Sequence, residues 1–276
     1  MPGLELCRQF YLLCGAPLIE RTFGENGRRF AAGLAGAGSD CLGFDDELSR
    51  DHDFGPGFCL WLTDEDDETF GGELRRLYSE LPRQFGGCVR NTTPQGADRV
   101  GVMRIGDFYR RYTGCRDIPE GDAAWLRIPE HLLAAAVSGE VFRDGLGEFS
   151  RIRSGLLPCY PEDVRLKKLA ARLFTMAQAG QYNYGRIMKR HDAAAAALAL
   201  SEFARAALSA VHLLNRRYMP YYKWAFRSAR RLPLLSDVVT ELDALFLPET
   251  DREALIETIC SRVSEFLKKE GLSSAR

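Results

Sequence analysis

A mixed α/β domain followed by an all-α helical bundle is the fold class that the sequence predicts, and two observations lead to it. Before residue 160, short apolar runs of strand length are punctuated by Gly and Pro and interleaved with helical spacing. After Pro161, apolar residues recur only at the i, i+3, i+4 and i+7 spacing of a buried helix face. A chain of 276 residues is long enough for two such domains. They are set at 1–160 and 161–276, from Leu157-Pro158, Pro161 and the change of period.

In chain order, residues 4–13 have a helical pattern closed by the Gly15-Ala16-Pro17 breaker. Residues 30–37, rich in Ala and Gly, predict a strand running into a Gly38-Ser39 turn. Its partner strand is expected from Asp51 to Thr63, irregular at Gly55-Pro56-Gly57, because Pro supplies no ladder donor and Gly favours bulges. Residues 68–81 carry Phe70, Leu74, Leu77, Tyr78 and Leu81 at helical spacing. Residues 100–105 alternate as a strand, and Asp107 is expected to cap a short helix bearing Phe108 and Tyr109. Residues 129–137 predict a helix and 139–144 a short strand and turn.

In the second half, Leu166, Leu169, Ala170, Leu173 and Ala177 mark one helix face. Asp192 caps a long helix that runs to Asn215, and Ser236 opens another. Thr250 and Glu253 predict a capping box for the last helix, with Ile256, Ile259, Cys260, Val263 and Leu267 inside and Gly271 past its end.

The net charge of −1 conceals a segregation. Residues 1–150 hold 16 Arg, no Lys and 25 acidic residues, a net of −9, whereas residues 151–276 hold 21 basic and 13 acidic residues, a net of +8. An acidic half that holds cations and a basic half that holds polyphosphate fit this division, as does a plain surface bias between two domains. The eight cysteines contain no C-x-x-C pair and lie among apolar neighbours, so reduced thiols are expected rather than a zinc site or a disulfide framework. Met1-Pro2-Gly3-Leu4-Glu5 lacks the basic segment and cleavage site of a secretory signal. The alanine tract at 193–197 is followed by Glu202 and Arg205, so no membrane span is expected and a cytoplasmic location is.

The chemistry-bearing pattern is Gly38-Ser39 followed, after eleven residues, by Asp51-His52-Asp53. A Gly-Ser turn offers backbone donors and a hydroxyl to phosphates. Carboxylates at alternate positions of an extended strand point to one side, where they can hold Mg²⁺ against a nucleoside triphosphate. His52, between them, points away from that side and is expected to be a packed or surface histidine.

This pattern resembles the Gly-Ser … Asp-x-Asp motif of the nucleotidyltransferase superfamily, which includes the aminoglycoside and lincosamide nucleotidyltransferases and the poly(A) and tRNA-end polymerases. Residues 38–56 (GSDCLGFDDELSRDHDFGP), Gly180-Gln181-Tyr182-Asn183 and residues 213–224 (LLNRRYMPYYKW) also resemble a bacterial group known as a domain of unknown function and placed among those enzymes. The resemblance implies a mixed-sheet nucleotidyltransferase-like domain ahead of the bundle. It implies Asp51 and Asp53 as catalytic metal ligands, Gly38 and Ser39 on the β- or γ-phosphate, and a third acid from a neighbouring strand. Residues 100–105 contain no carboxylate, so Asp98 or Asp107 would have to serve. Asp144 resembles the acid of Val-Phe-Arg-Asp segments in that group, as a general base for the acceptor or as a turn aspartate.

In the helical half, Lys223 stands among Tyr221, Tyr222 and Trp224, a setting suited to a triphosphate with a stacked base. Tyr182 and Asn183, in an expected turn, are candidates for reading the nucleotide or acceptor. The expected activity is Mg²⁺-dependent transfer of a nucleoside monophosphate, AMP from ATP first among the donors, to a hydroxyl of a small molecule or a protein. The alternative is a catalytically degenerate nucleotide-binding or interaction protein of the same fold, which the missing acid favours. Arg227-Ser228-Ala229-Arg230-Arg231 is basic, but no nucleic-acid reading module is present and the overall charge is not basic, which argues against nucleic acid as a partner. The sequence does not determine the acceptor or the oligomeric state.

Overall fold

The computed structural model describes residues 1–49, 54–90 and 99–274, and the chain divides into two compact units, 1–158 and 159–276. The first unit mixes helix and sheet and the second is helical.

The first unit is built on a four-stranded mixed sheet. Its strands are β1 (Ala31–Leu34), β2 (Cys59–Leu62), β5 (Gly101–Arg104) and β6 (Glu140–Arg143), in the order β5-β2-β1-β6. β3 (Gln84–Phe85) and β4 (Cys88–Val89) form a separate small hairpin. β1 runs antiparallel to both its neighbours, with Ala31 opposite Trp61 and Leu34 opposite Glu140, while β5 runs parallel to β2 with Gly101 beside Cys59. β1 and β2 are buried at every position, the pattern of strands covered on both faces.

Alternation divides those faces. Ala32, Leu60 and Leu62 join Phe10, Tyr11, Ile19 and Leu74 in one cluster. These last come from α1 (Gly3–Phe10), the π-helical stretch Tyr11–Gly15, α2 (Ala16–Phe23) and, past the short α3 (Ser39–Leu42), from α4 (Asp64–Glu80). On the other face Trp61 stacks on Phe149 at 3.8 Å and meets Phe108 edge-on at 5.4 Å. Those two rings come from α5 (Ile105–Thr113) and α8 (Glu148–Leu156), with α6 (Gly121–Arg127) and α7 (Glu130–Val137) between them in the chain.

Several local expectations are corrected. Gly15-Ala16-Pro17 does not close the first helix, since the chain passes through π-helical turns into α2. Pro17 falls in the first turn of α2 without ending the helix, and Gly15 leaves room for the Phe58 ring against the backbone. Of the strand expected over 51–63, residues 51–53 lie outside the described residues, and among the rest the strand runs Cys59–Leu62. Just before it, the Phe58 amide donates to the Tyr78 hydroxyl at 3.2 Å, and the Phe58 carbonyl accepts from that hydroxyl at 2.7 Å and from the Gly101 amide at 3.0 Å. Thr63 caps α4 by accepting from the Asp66 amide at 3.1 Å, so that helix starts four residues before the apolar pattern does.

The second unit holds α9 (Glu162–Met176), α10 (Gly185–Met188), α11 (Ala193–Leu214), α12 (Tyr222–Ala229), α13 (Ser236–Ala244) and α14 (Arg252–Lys269). α9 continues into π-helical turns at Ala177–Tyr184 and then into α10, so residues 180–183 are helix, not the expected turn. A Cβ on Gly180 would lie 2.5 Å from the Phe203 ring and 2.8 Å from Ile256, so its absence lets α11 and α14 press on the helix backbone. The last helix is capped by Asp251, accepting from the Ala254 amide at 3.1 Å, while Thr250 donates to Ala244 O at 3.0 Å; the Thr250–Glu253 box does not form. Among the described helices α11 is long and apolar enough to cross a membrane by composition, but 61% of that window is buried inside the protein.

His212, wholly buried on α11, contacts Leu208 O through Nδ1 at 2.8 Å and the Ser228 hydroxyl through Nε2 at 2.9 Å. A carbonyl only accepts, so Nδ1 carries the proton and the neutral ring accepts from Ser228. Burial pushes the imidazole down to about 4, the Leu208 bond opposing. A value depressed in the folded state means that the unfolded chain binds more protons, so this contribution is complete above pH 6.5 and is lost as pH falls toward 4. Its full size is up to about 3 kcal/mol. The urea midpoint of the helical unit is expected to fall across that window, with a shallower slope in His212→Leu. Identical slopes in the two proteins would show that His212 is not a buried neutral group.

Candidate functional site

β1 delivers the chain to its C-terminal end, where residues 35–38 turn into α3. Four side chains or strand heads hold this loop. The Ser138 hydroxyl donates to Gly36 O at 2.7 Å, the Ala37 amide donates to the Tyr112 hydroxyl at 3.3 Å, and the Gly139 amide donates to Cys41 O at 2.8 Å. Arg99, just ahead of β5, donates from Nε to Ala37 O at 3.1 Å and forms an ion pair with the buried carboxylate of Asp40. A Cβ on Gly38 would overlap the Arg99 guanidinium, so glycine is required there. Ser39 opens α3, partly exposed, and its hydroxyl has no hydrogen-bond partner among the described residues.

The antiparallel pairing of β1 and β2 brings the start of β2 to the same end of the sheet, as the parallel pairing does for the start of β5. Phe54, on the approach to β2, lies beside Gly3. A Cβ built on Gly3 would be 3.2 Å from the Phe54 ring and 2.9 Å from Asp40. The chain leaving the acid pair therefore re-enters next to the residue that follows Ser39. Asp51, His52 and Asp53, and also Asp98, lie outside the described residues.

Burial alone would lower the Arg99 value, but the Asp40 carboxylate beside it outweighs that and holds the guanidinium firmly charged. Burial raises the neighbouring thiols, Cys7 and Cys59 to about 12 and Cys41 well above the ordinary range, so all three are protonated packing groups. All eight cysteines are free. Among the described residues no group of three or more His, Cys, Asp or Glu could hold a metal ion, and Asp40 is committed to Arg99.

Two candidates are corrected. Asp107 is not a cap: it lies inside the first turn of α5, where it accepts from Arg110 at 2.9 Å and from Arg116 at 2.6 Å. Asp144 follows β6 and so sits at the opposite end of the sheet from Ser39, about 10 Å of strand away. Its two carboxylate oxygens accept from the Gly147 amide at 3.0 Å and the Ser150 amide at 2.7 Å, which makes it a turn aspartate bracing the start of α8 rather than a base facing the Gly38-Ser39 loop.

Tyr182, Asn183 and Lys223 belong to the helical unit. Tyr182 is exposed with the Arg186 guanidinium 4.5 Å over its ring, and Asn183 lies partly buried in the same π-helical stretch. Lys223 is exposed in the first turn of α12 with its ammonium 5.0 Å over the Trp224 ring, and Tyr221 and Tyr222 lie against each other at 4.4 Å. Sequence reasoning missed Asp40, Arg99 and Tyr112. Asp40 was visible as the residue after Ser39, whereas nothing local marks an arginine or tyrosine that arrives from 59 or 75 positions away.

Residues 125–225 match the family described as a domain of unknown function, DUF4037. This is less than half of the chain; it takes in Tyr182, Asn183 and Lys223 and leaves out the Gly38-Ser39 loop. No curated protein and no solved structure matches.

Arg99→Met leaves the Asp40 carboxylate partly buried without its counter-ion and is expected to lower stability by about 3 kcal/mol. Replacing both, Arg99→Met with Asp40→Leu, is expected to recover most of that loss in urea unfolding. A double variant as unstable as the sum of the two single changes would show that the pair is not coupled.

Proposed function

We propose that this chain is a Mg²⁺-dependent nucleotidyltransferase that moves a nucleoside monophosphate from a nucleoside triphosphate, ATP first among the candidates, to a hydroxyl of a small molecule or protein. One observation carries the reading. β1 runs out into a Gly38-Ser39 loop whose hydroxyl has no partner among the described residues, at the end of the sheet where the chain that follows Asp51-His52-Asp53 enters β2. In this reaction the acceptor oxygen bonds to the α-phosphorus and the bond to the bridging oxygen breaks, releasing pyrophosphate. Ser39 donates its hydroxyl to a distal phosphate oxygen beside the Gly38 backbone. Asp51 and Asp53 would hold Mg²⁺, which when bound neutralises the phosphate charge.

A second reading, a nucleotide-binding protein of the same fold without turnover, is favoured by β5. No carboxylate stands on that strand, and Arg99 at its head already engages the only buried acid of the loop among the described residues. Incubation with each labelled nucleoside triphosphate and Mg²⁺, following pyrophosphate release, separates the two readings: tight binding with no release identifies the second.

Asp51→Asn and Asp53→Asn are each expected to abolish Mg²⁺-dependent release with the circular dichroism spectrum unchanged; full turnover in both folded variants would refute the assignment. Ser39→Ala is expected to weaken the triphosphate by about 1.5–3 kcal/mol in calorimetry and to leave the monophosphate nearly unaffected. Equal losses for the two ligands would place Ser39 away from the distal phosphates.

A further inference from the structure

The helical unit contains a pocket of about 460 Å³ where α10 turns into α11, within the size range of small-molecule sites. Its walls are apolar, formed by Met188, Ala196, Ala197 and Leu200. Three polar side chains, Tyr184, His191 and Arg252, also line it.

Tyr184 is the informative one. It is only 4% exposed, yet its hydroxyl has no hydrogen-bond partner among the described residues, although buried tyrosine hydroxyls ordinarily find one. The hydroxyl oxygen is not fully enclosed, and the residue lines this pocket. Arg252 is held in place from behind, donating from Nε to Leu245 O at 2.9 Å and from one terminal nitrogen to Leu247 O at 3.1 Å. Its other terminal nitrogen remains for a ligand. The amide end of the 22-residue α11 opens at Ala193, also in the lining, and Asp192 caps only the Ala195 amide further along. A charged guanidinium, a hydroxyl without a partner and a helix amino end all favour an anion in the same space.

We propose that this pocket is a binding site for a small monocarboxylate with an aliphatic body. The methyl and thioether walls take the body, while Tyr184 and Arg252 take the carboxylate. One guanidinium with two of its donors already committed matches a single negative charge better than a phosphate dianion. The site lies wholly within the helical unit and is independent of the chemistry proposed for the Gly38-Ser39 loop.

Calorimetric titration of the full chain with octanoate, octan-1-ol and octyl phosphate tests the assignment. Octanoate is expected to bind saturably with one site, at least tenfold tighter than octanol and tighter than octyl phosphate. Tyr184→Phe removes only the hydroxyl and is expected to weaken octanoate about tenfold while leaving octanol unchanged. Ala197→Trp, at an exposed lining position, fills the mouth and is expected to abolish binding of both without disturbing the core. Octanoate binding that is absent in the folded wild-type chain, or that survives Ala197→Trp unchanged, overturns the site. Octyl phosphate binding tighter than octanoate overturns the choice of a monoanion.

Discussion

Arg99 is the constraint on which the candidate site depends. Its guanidinium reaches from the head of β5 across to the loop that leaves β1, where it meets a carboxylate, a carbonyl and a sulfur within one turn of chain. Taking both charges out of water is costly, and the attraction offsets that cost only while the geometry holds. The consequence is local rigidity. Gly38 must lack a side chain because the guanidinium occupies that space, and Asp40 is no longer available to any other cation. Ser39, flanked by the two, keeps its hydroxyl without a partner among the described residues. Tyr112 and Ser138 then hold the residues before Gly38, so the loop is fixed from three elements that are remote in sequence.

The sheet beneath it is short, and both of its faces are filled. Rings from α1, the π-helical stretch, α4, α5 and α8 cover four-residue strands, and Gly33 has no side chain because Trp61 and the Glu140 carbonyl close over it from either side. Antiparallel and parallel pairing together sort the loops by end. The exit of β1 and the entries to β2, β5 and β6 share one end, and Asp144 falls at the other, where it braces a helix. An acidic residue after an apolar strand therefore has two quite different fates, decided by strand direction alone.

In the helical unit two of the buried polar side chains are satisfied internally. Arg165, 3% exposed, binds Glu162 and the Leu213 carbonyl at the end of α11, and His212 bridges Leu208 and Ser228. The Tyr184 hydroxyl, without a partner among the described residues, sits where the π-helical turns end and the chain reverses toward α11. Within those turns Gly180 lets the Phe203 ring and Ile256 approach the helix backbone.

The sequence by itself determined what periodicity and local chemistry encode. The mixed first half and helical second half, β1, β5 and β6, and the Asp192 cap of the long helix are all legible from apolar spacing, because one face or both must be removed from water. The Gly38-Ser39 turn at the end of β1 is legible for the same reason: the residues that end a strand are neighbours in the chain. What only the tertiary structure decided are the partners that arrive from afar. Arg99 on Asp40, Tyr112 and Ser138 on the loop, Phe58 on Tyr78 and the ring of Phe203 on Gly180 have no local signature. Helix ends were misread where such contacts intervened: Gly15 accommodates the Phe58 ring and the helix runs on through Pro17, and Asp251 rather than Thr250 caps α14 at the Ala254 amide. Side chains that act through their immediate neighbours can be read from a sequence, whereas those that act across the core depend on which ends of which strands the fold brings together.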